Sequence, residues 1–501
     1  MIKANKQLPA ALYYLNFKNI KQDVMRFGYE ITPVKLLLYY LLTIVICVLV
    51  CIPFELPFVC KLCISFVGFL CLPIVIVSTY KQKYEEARFV ETSIYVSQML
   101  SAFYINPKII YALQSTQKVV TSAPMQEAIT GAIDYIINTP FSIGDYREEG
   151  LKIVEKQYDC KRIRTLHQFL INVEIKGGEY KQTIDLLQRD RELWENRIED
   201  FRKDEKNKKG EAVASAIFMI FMCWCIVMLS KYVGIDISHA LAYQISTTLL
   251  IIAEMFLYIK INCSLKVDLL QKVTTRSYKA IMKDYHMVIN YDPEKENRRS
   301  ICYSIIPAIL LAAGILLSRV WFIIIGGALL FYTIFDKRVG YSMTVKQLKK
   351  EIGFVYPEWL MEMALLLQCN TVRNSIRMST DNAHPILKEA LEKMITELDE
   401  NPTSMDPYMN FLWPLRTKEI NTSMSMLYAA SSGTNGDAEE RIKEIINSTI
   451  RMTDKAEKHE NDDKLLGLEL LFSAPAIPGT LNILVYTAIV MIQSMNMNNY
   501  M

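Results

Sequence analysis

Apolar and charged residues are separated into long blocks along this chain of 501 residues. The apolar runs form three closely spaced pairs and one single run, and each is long enough to cross a bilayer as a helix. The pairs are 36–54 with 59–78, 212–229 with 241–261, and 301–317 with 320–335; the single run is 465–494. Short turns within the pairs predict three hairpins, while Pro475 and Pro478 predict a break before the last span.

Two long charged blocks, residues 81–211 and 336–464, predict domains built from helices, because neither shows strand-like alternation of any length. Pro, Asn and Gly positions end successive helical stretches in the first block. The helices predicted there are 84–104, 108–120, 125–137, 145–155, 160–173 and a long one from 179. The pair Gly177-Gly178 marks the break before the long helix, which is amphipathic and continues into the second hairpin.

These blocks predict an all-α integral membrane protein with about seven transmembrane helices and two cytoplasmic helical-bundle domains. The order of basic lead-in, hairpin, helical domain and span occurs twice, at an offset of roughly 265 residues, which predicts a tandem parallel repeat. The predicted parts are a lead-in (1–35), hairpin 1 (36–80), domain 1 (81–211), hairpin 2 (212–262), a linker (263–299), hairpin 3 (300–335), domain 2 (336–464) and a C-terminal span (465–501).

The distribution of charge predicts the orientation in the membrane. Basic residues collect in the segments that flank the hairpins, whereas the opposite turns carry only Lys61, Lys231 and Arg319, as the positive-inside rule requires. The N-terminus and both domains are therefore expected in the cytoplasm of a cell-membrane protein, and the C-terminus outside. The net charge of +3, without a basic patch away from the membrane, argues against a nucleic-acid partner.

The sequence lacks the patterns of common catalytic and metal sites. It contains no Gly-x-x-x-x-Gly-Lys-Ser/Thr phosphate loop and no Gly-x-Ser-x-Gly nucleophile elbow. The five histidines are scattered and are expected at the surface, and His459-Glu460 lacks the second histidine of a zinc helix, since position 463 is Asp463. We therefore expect no enzyme activity, no cofactor and no bound metal.

Glu254 is an ionisable residue within a predicted span. An ionised side chain at the centre of a span costs roughly 2.5–3.5 kcal/mol on insertion scales, so a partner inside the helix bundle is expected. In the functional interpretation, Glu254 makes a polar contact with another subunit or with a segment of a partner protein. The simpler interpretation places it near enough to the inner face to reach water, since Asn262 lies eight residues, roughly 12 Å, further along the helix.

Three short stretches resemble the type II secretion system F domain. Residues 88–100 (RFVETSIYVSQML) and 356–368 (YPEWLMEMALLLQ) are similar to its opening helix, and residues 173–179 (VEIKGGE) resemble its Glu-x-x-Gly-Gly turn. In architecture the chain is similar to the inner-membrane platform proteins of tight-adherence (Flp/Tad) pili, of the TadB and TadC type, with two units fused. The second copy departs from this pattern, because Ser432 stands where Glu174 would fall.

This resemblance implies a non-enzymatic assembly platform that couples a separate cytoplasmic motor ATPase to pilin extraction and polymerisation. The partners it implies are the ATPase, pilin subunits, other platform subunits and the lipid bilayer. Charge reversal at Glu174 is expected to impair assembly without unfolding the protein. The candidate partner contacts are Glu91, Glu174, Gly177, Gly178, Glu254 and Glu358.

Other interpretations compete with this one. The Gly177-Gly178 pair is more simply a helix stop with left-handed backbone than a hinge that presents neighbouring glutamates. A membrane permease or export component, with Glu254 lining a path, is the alternative function. A membrane enzyme is a third possibility, and the missing catalytic residues speak against it.

Overall fold

The computed structural model describes residues 17–139, 145–178, 180–264, 278–291, 305–312, 315, 320–368, 370–381, 383–432 and 438–498, which form helices and no strands. The helices of the first half are α1 (Phe17–Arg26), α2 (Pro33–Cys51), α3 (Phe58–Ile105), α4 (Ile109–Val119), α5 (Ala123–Asn138), α6 (Tyr146–Tyr158), α7 (Lys161–Lys176), α8 (Lys181–Tyr232) and α9 (Leu241–Ser264). Those of the second half are α10 (Tyr278–Ile289), α11 (Val320–Leu366), α12 (Val372–Thr380), α13 (Pro385–Glu400), α14 (Asp406–Met409), α15 (Lys418–Ser432), α16 (Ala438–Ser473) and α17 (Ala476–Asn498).

Five helices of the described chain are long enough and apolar enough to cross a membrane: α2, α3, α8, α9 and α17. Helices α2 and α3 form the first predicted hairpin, and α8 and α9 form the second. The expected break before the last span is present, because α16 ends at Ser473 and α17 begins at Ala476. These two hairpins and the final span confirm five of the predicted membrane helices as apolar helices of sufficient length.

The predicted third hairpin falls partly outside the described residues, as do 1–16 of the lead-in and much of the 263–299 linker. Residues 305–312 are helical, and they lie against the beginning of α11. A Cβ atom added at Gly326 would be 2.8 Å from the backbone nitrogen of Leu311. The small residue at position 326 therefore permits a close approach of two helical segments where the hairpin is predicted.

The apolar helices pack into one bundle. Helix α9 contacts α3, α8 and α17, and α17 also packs on α8. The approach of α17 to α8 depends on Gly479, because a Cβ there would lie 2.7 Å from Cβ of Met219. At the end of the bundle formed by the two hairpin turns, Lys231 pairs with Glu55 and so joins the turns to each other. The lead-in helix α1 packs on α3 through its buried residues Ile20 and Val24.

Two helical domains lie beyond the other end of the bundle. Helices α3 and α8 have 48 and 52 residues, so each runs for about 70–80 Å and links the bundle to the first domain without interruption. The first domain consists of the distal part of α3, helices α4 to α7 and the beginning of α8. Helices α4 to α7 agree with the predicted ones to within a few residues, whereas the predicted helix 84–104 is the distal part of α3, which begins at Phe58. The core of this domain contains buried side chains from every one of its helices, including Met99, Leu113, Ile129, Leu151 and Phe169.

The second domain consists of the distal part of α11, helices α12 to α15 and most of α16. Its core includes Trp359, Ile376, Leu391, Met424 and Ile446, and α10 packs against α11 and α13. The two domains share side chains across their boundary: Leu365 of α11 belongs to the first core, and Leu186 of α8 belongs to the second. The domains therefore form a continuous interface, with α8 lying along α16.

Candidate functional site

A buried carboxylate lies between two arginines where α8 and α16 meet. Arg162, at the beginning of α7, donates to Glu457 of α16 through Nη2 at 3.3 Å, and Nη1 of Arg197 on α8 pairs with the same carboxylate. The side chains of Arg162, Arg197 and Glu457 are only 21%, 10% and 11% exposed. One glutamate of the second domain thus holds two arginines of the first.

Two further carboxylates complete this interdomain ion network. Asp190 accepts from Nε of Arg162 at 3.1 Å, and Asp454 lies 3.1 Å from Nε of Arg197. Burial alone would lower the pKa of Arg162, but Glu457 and Asp190 together raise it above its ordinary value. Burial lowers the pKa of Arg197, and Glu457 only partly offsets this effect. Both guanidinium groups remain charged at physiological pH, because an arginine pKa starts above 12.

The network borders a cavity of about 400 Å³ between the two domains. This volume is within the range of small-molecule sites, which often occur at domain interfaces. The wall includes Trp194, whose ring lies under the Arg162 guanidinium at 4.7 Å. Acidic and basic side chains line the cavity in nearly equal numbers, so the cavity has no strong preference for an anion or a cation. The charged lining residues are Asp159, Lys161, Arg162, Arg164, Asp190, Arg191, Arg197, Glu358, Glu457, Glu460 and Lys464.

Glu358 is the sequence-predicted candidate that lies at this interface. It pairs with Lys161 across the domain boundary, and both residues line the cavity. Further polar contacts cross the boundary nearby: Lys176 donates to Asn370 at 3.2 Å, and Gln368 donates to Thr183. The interface between the two domains therefore contains polar as well as apolar contacts, and the polar contacts are distributed along its length.

The other predicted candidates in the first domain lie away from the cavity. Glu91 accepts a hydrogen bond from the Tyr158 hydroxyl at 2.6 Å, which joins α3 to the end of α6. Glu174 accepts from the backbone N–H of Ile109 at 2.7 Å and from Nε of Arg147 at 3.2 Å. Its side chain is only 10% exposed. Glu174 thus accepts a hydrogen bond from a free backbone N–H in the first turn of α4 and connects α7 to α6 through Arg147. We therefore expect a substitution of Glu174 to lower the stability of the first domain.

Gly177 and Gly178 lie between α7 and α8, where the sequence places a helix break. Both have positive φ angles, 74° and 113° respectively, and Gly177 caps α7 through its N–H bond to the Val173 carbonyl at 2.9 Å. This geometry provides the helix stop considered above. The corresponding stretch of the second domain, 433–436, lies outside the described residues.

Glu254 lies on the face of α9 that points into the bundle, 7% exposed. Both of its carboxylate oxygens are buried and have no hydrogen-bond partner among the described residues. A side chain in this position faces neighbouring helices of its own chain and not the lipid. The six predicted candidates therefore do not converge on one site. Glu358 lines the cavity, and Glu254 lies in the membrane bundle. The other four, Glu91, Glu174, Gly177 and Gly178, lie within the first domain, where they join or end its helices.

Sequence reasoning missed Arg162, Arg197 and Glu457. Their signal in the sequence is weak, because charged residues on amphipathic helices are ordinarily solvated and nothing in the spacing pairs one helix with a distant one. The expectation that the histidines lie at the surface is wrong for His167, which is 1% exposed. His167 lies between the Tyr95 hydroxyl and the Glu155 carboxylate, each at 2.8 Å, and this chain of hydrogen bonds allows its burial.

The fold defines the class of protein: an all-helical protein with apolar helices able to cross a membrane and two packed helical domains beyond them. Compared with known proteins, the chain matches no family model, no curated protein and no solved structure.

Proposed function

We propose that this protein is a platform of a type IV pilus or type II secretion-related assembly machine, of the tight-adherence (Flp/Tad) kind. It couples a separate cytoplasmic ATPase to the extraction and polymerisation of pilin subunits and has no enzyme activity of its own. The observation that carries this proposal is the matching arrangement of the two helical domains. Two similar domains joined to one membrane bundle suit a protein in which an ATPase moves the domains and the membrane helices move in response.

The two domains have the same order of helices and share most of their packing partners. In each, a long helix is followed by four shorter ones and a second long helix. The pairs α3–α4, α4–α5, α5–α6, α6–α7, α4–α7 and α3–α8 pack in the first domain, and α11–α12, α12–α13, α13–α14, α14–α15, α12–α15 and α11–α16 pack in the second. A lead-in helix also contacts the first long helix in both halves, as α1–α3 and α10–α11. This correspondence supports a tandem parallel repeat of F-type domains.

The proposed topology has seven spans, with both domains in the cytoplasm and the C-terminus outside. The close approach of residues 305–312 to α11 supports a third hairpin beside the two that the apolar helices form. Three hairpins and one final span return both domains to the same side, where the basic flanking segments are expected. The partners of this arrangement are the motor ATPase, pilin subunits, lipid and other platform subunits.

A deletion that keeps both long helices intact tests the proposal. The ends of α3 and α8 are adjacent, since the rings of Phe103 and Tyr180 lie 5.9 Å apart. Residues 107–178 are therefore replaced by a short Gly-Ser linker, and the tagged protein is purified from native membranes and analysed by quantitative mass spectrometry. The matched control replaces residues 369–437 between α11 and α16. We expect the full chain to recover a P-loop ATPase and pilin-like proteins, and the 107–178 deletion to lose the ATPase.

The contrary result is recovery of neither an ATPase nor pilin-like proteins with the full chain. Recovery of a solute-binding or nucleotide-binding transport subunit instead would favour the permease alternative. A specific observation keeps that alternative in view, because Glu254 faces the interior of the helix bundle, where a path would run.

A further inference from the structure

Two buried polar side chains in the membrane bundle have oxygen atoms without partners among the described residues. Glu254 of α9 is 7% exposed and Asn482 of α17 is 3% exposed. Both carboxylate oxygens of Glu254 and Oδ1 of Asn482 accept no hydrogen bond within the described part of the chain. All three atoms are acceptors when the carboxyl is ionised, so they cannot satisfy one another.

The two side chains border the same seam of the bundle, formed by α8, α9 and α17. Nδ2 of Asn482 lies 3.8 Å from Sγ of Cys223 on α8, and that sulfur lies 3.8 Å from the Gly479 carbonyl oxygen. The Cys223 thiol is in turn within electrostatic range of the Glu254 carboxylate. Cys223 thus contacts Asn482 and lies on the seam that Glu254 also borders.

An ionised Glu254 requires a positive charge close to it. Moving a lone carboxylate into an apolar medium costs many kcal/mol, and in practice such a group is paired or neutralised. No Lys or Arg of the described chain pairs with this carboxylate, since both of its oxygens are buried without a hydrogen-bond partner there. A divalent ion does not fit, since Ca²⁺ takes six to eight oxygen ligands and no group of three acidic, His or Cys side chains is gathered in the described residues.

We propose that Glu254 is an exchangeable binding site for a monovalent cation, either a proton or a sodium ion. As a proton site, one carboxylate oxygen gains an O–H bond, and no electron transfer or other bond change is involved. As a sodium site, both carboxylate oxygens supply ligands, and the unpartnered Oδ1 of Asn482 on α17 is the candidate for a third. The proposal stands on the bundle alone and is independent of the proposed platform function.

Polar groups lie between Glu254 and the hairpin turns, which gives the site a direction of access. Thr247, two turns before Glu254 on the same face of α9, is 2.6 Å from the Tyr486 hydroxyl through Oγ1. Tyr243, one turn further, donates to the Phe54 carbonyl at 2.9 Å in the first hairpin turn. In the opposite direction the same face continues with the buried Ile261. The proposed path of cation exchange runs along these polar groups, toward the end of the bundle where the turns lie.

Other titratable side chains could contribute to pH dependence and have to be distinguished from Glu254. Helices α3, α8, α16 and α17 pack against α9. The titratable residues on these helices and on α9 itself, along the length they share, include Cys60, Cys63, Cys71, Tyr80, Cys223, Cys225, Tyr243, Tyr258, Lys260, Cys263, Glu469 and Tyr486. A neutral substitution of Glu254 separates its contribution from theirs.

The first test measures the melting temperature of the full-length protein in detergent between about pH 5 and pH 9, in sodium chloride and in choline chloride. The variants are Glu254→Gln, which imitates the protonated carboxyl in shape, and Glu199→Gln, a matched change of an exposed glutamate on α8. A bound cation is expected to raise the melting temperature by about 2–4 °C relative to the cation-free form. We expect this cation-dependent rise in wild type and Glu199→Gln and its absence in Glu254→Gln, in which the remaining pH dependence comes from groups outside the bundle such as His167.

The second test needs no variant and labels buried carboxyl groups with dicyclohexylcarbodiimide, followed by peptide mass spectrometry. Labelling of Glu254 that decreases as the pH rises and ignores sodium identifies the proton as the ligand. Labelling that sodium suppresses at constant pH identifies the sodium ion. The proposal is overturned if labelling and melting are both independent of pH and sodium, or if Glu254→Gln retains the wild-type dependence.

Discussion

Single residues explain where the two domains differ despite their common order of helices. In the first domain the N-cap of α4, Lys108, has no side-chain hydrogen bond, and Glu174 supplies the acceptor from α7. In the second domain Thr371 caps α12 itself by accepting from the Asn374 N–H at 3.5 Å. A self-capped helix needs no acceptor from elsewhere. The presence of Ser432 where the pattern places Glu174 is consistent with this, since its hydroxyl bonds to its own helix at the Tyr428 carbonyl.

We predict that Glu174→Ala lowers the free energy of unfolding by about 2–3 kcal/mol, because it removes two hydrogen bonds to a largely buried carboxylate. Urea or thermal denaturation of the purified protein in detergent measures this loss. Glu148→Ala is the matched control, since the Glu148 side chain is 54% exposed and pairs only at the surface with Lys152. Equal stability of the two variants would contradict the role assigned to Glu174.

His167 makes the stability of the first domain depend on pH. Burial lowers the pKa of His167 from its ordinary value of 6.5, although the hydrogen bond to Glu155 acts in the opposite direction. The folded protein therefore keeps this histidine neutral, while the unfolded chain takes up a proton below about pH 6.5. Its contribution to stability is complete above that pH and is lost progressively as the pH falls.

We predict that His167→Gln flattens the fall in stability between pH 6.5 and pH 5 and lowers stability at pH 7.5 by about 1–3 kcal/mol through the lost hydrogen bonds. Denaturation midpoints at a series of pH values measure both effects. His239→Gln serves as the control, because that side chain is 92% exposed. The stability of His167→Gln still depends on pH to some extent, since burial also lowers the pKa of His384. A slope as steep as that of wild type would exclude His167 as a source.

Among the elements, α8 and α16 determine how the two domains are joined. Each is the closing long helix of its own domain, and the two lie side by side with Glu457 between the arginines of the other domain. Removing one partner of such a buried pair leaves the remaining charges uncompensated, which costs more than the pair contributes as a whole. The interface therefore depends on this glutamate more than on its exposed ion pairs.

We predict that Glu457→Gln destabilises the protein by about 3–5 kcal/mol and separates the domains before either unfolds. Limited proteolysis, followed by identification of the first cleavage sites, measures the separation. Glu419→Gln is a suitable control, since its pair with Lys455 is 44% and 64% exposed and such pairs contribute about 0–1 kcal/mol. Identical digestion patterns for the two variants would show that the network does not hold the domains.

At the scale of the whole molecule, local rules predicted the helices but not their assembly. Periodicity and Pro or Gly positions located the first-domain helices, two hairpins and the break near Pro475, because these features depend on neighbouring residues. The interdomain network joins Arg162 to Glu457, nearly three hundred positions apart, and no spacing rule reaches that far. The burial of His167 was equally invisible, because it depends on partners brought from α3 and α6.

We predict that both domains lie on the cytoplasmic side and both hairpin turns on the other. Truncated chains fused to alkaline phosphatase and to green fluorescent protein test this, with junctions after Glu55, Asn106, Gly234 and Asn401. Phosphatase activity is expected at the first and third junctions, and fluorescence at the second and fourth, because only cytoplasmic domains carry excess basic flanks. Phosphatase activity at Asn106 or Asn401 would refute this orientation.

The interruption at residues 474–475 makes the two domains mechanically unequal. The first domain resembles a beam clamped at both supports, since α3 and α8 enter the bundle as unbroken rods. The second domain has a pinned support on one side, where α16 stops at Ser473 and α17 begins at Ala476. Bending of the second domain therefore has a hinge between α16 and α17, and Glu457 connects that domain to the stiffer neighbour.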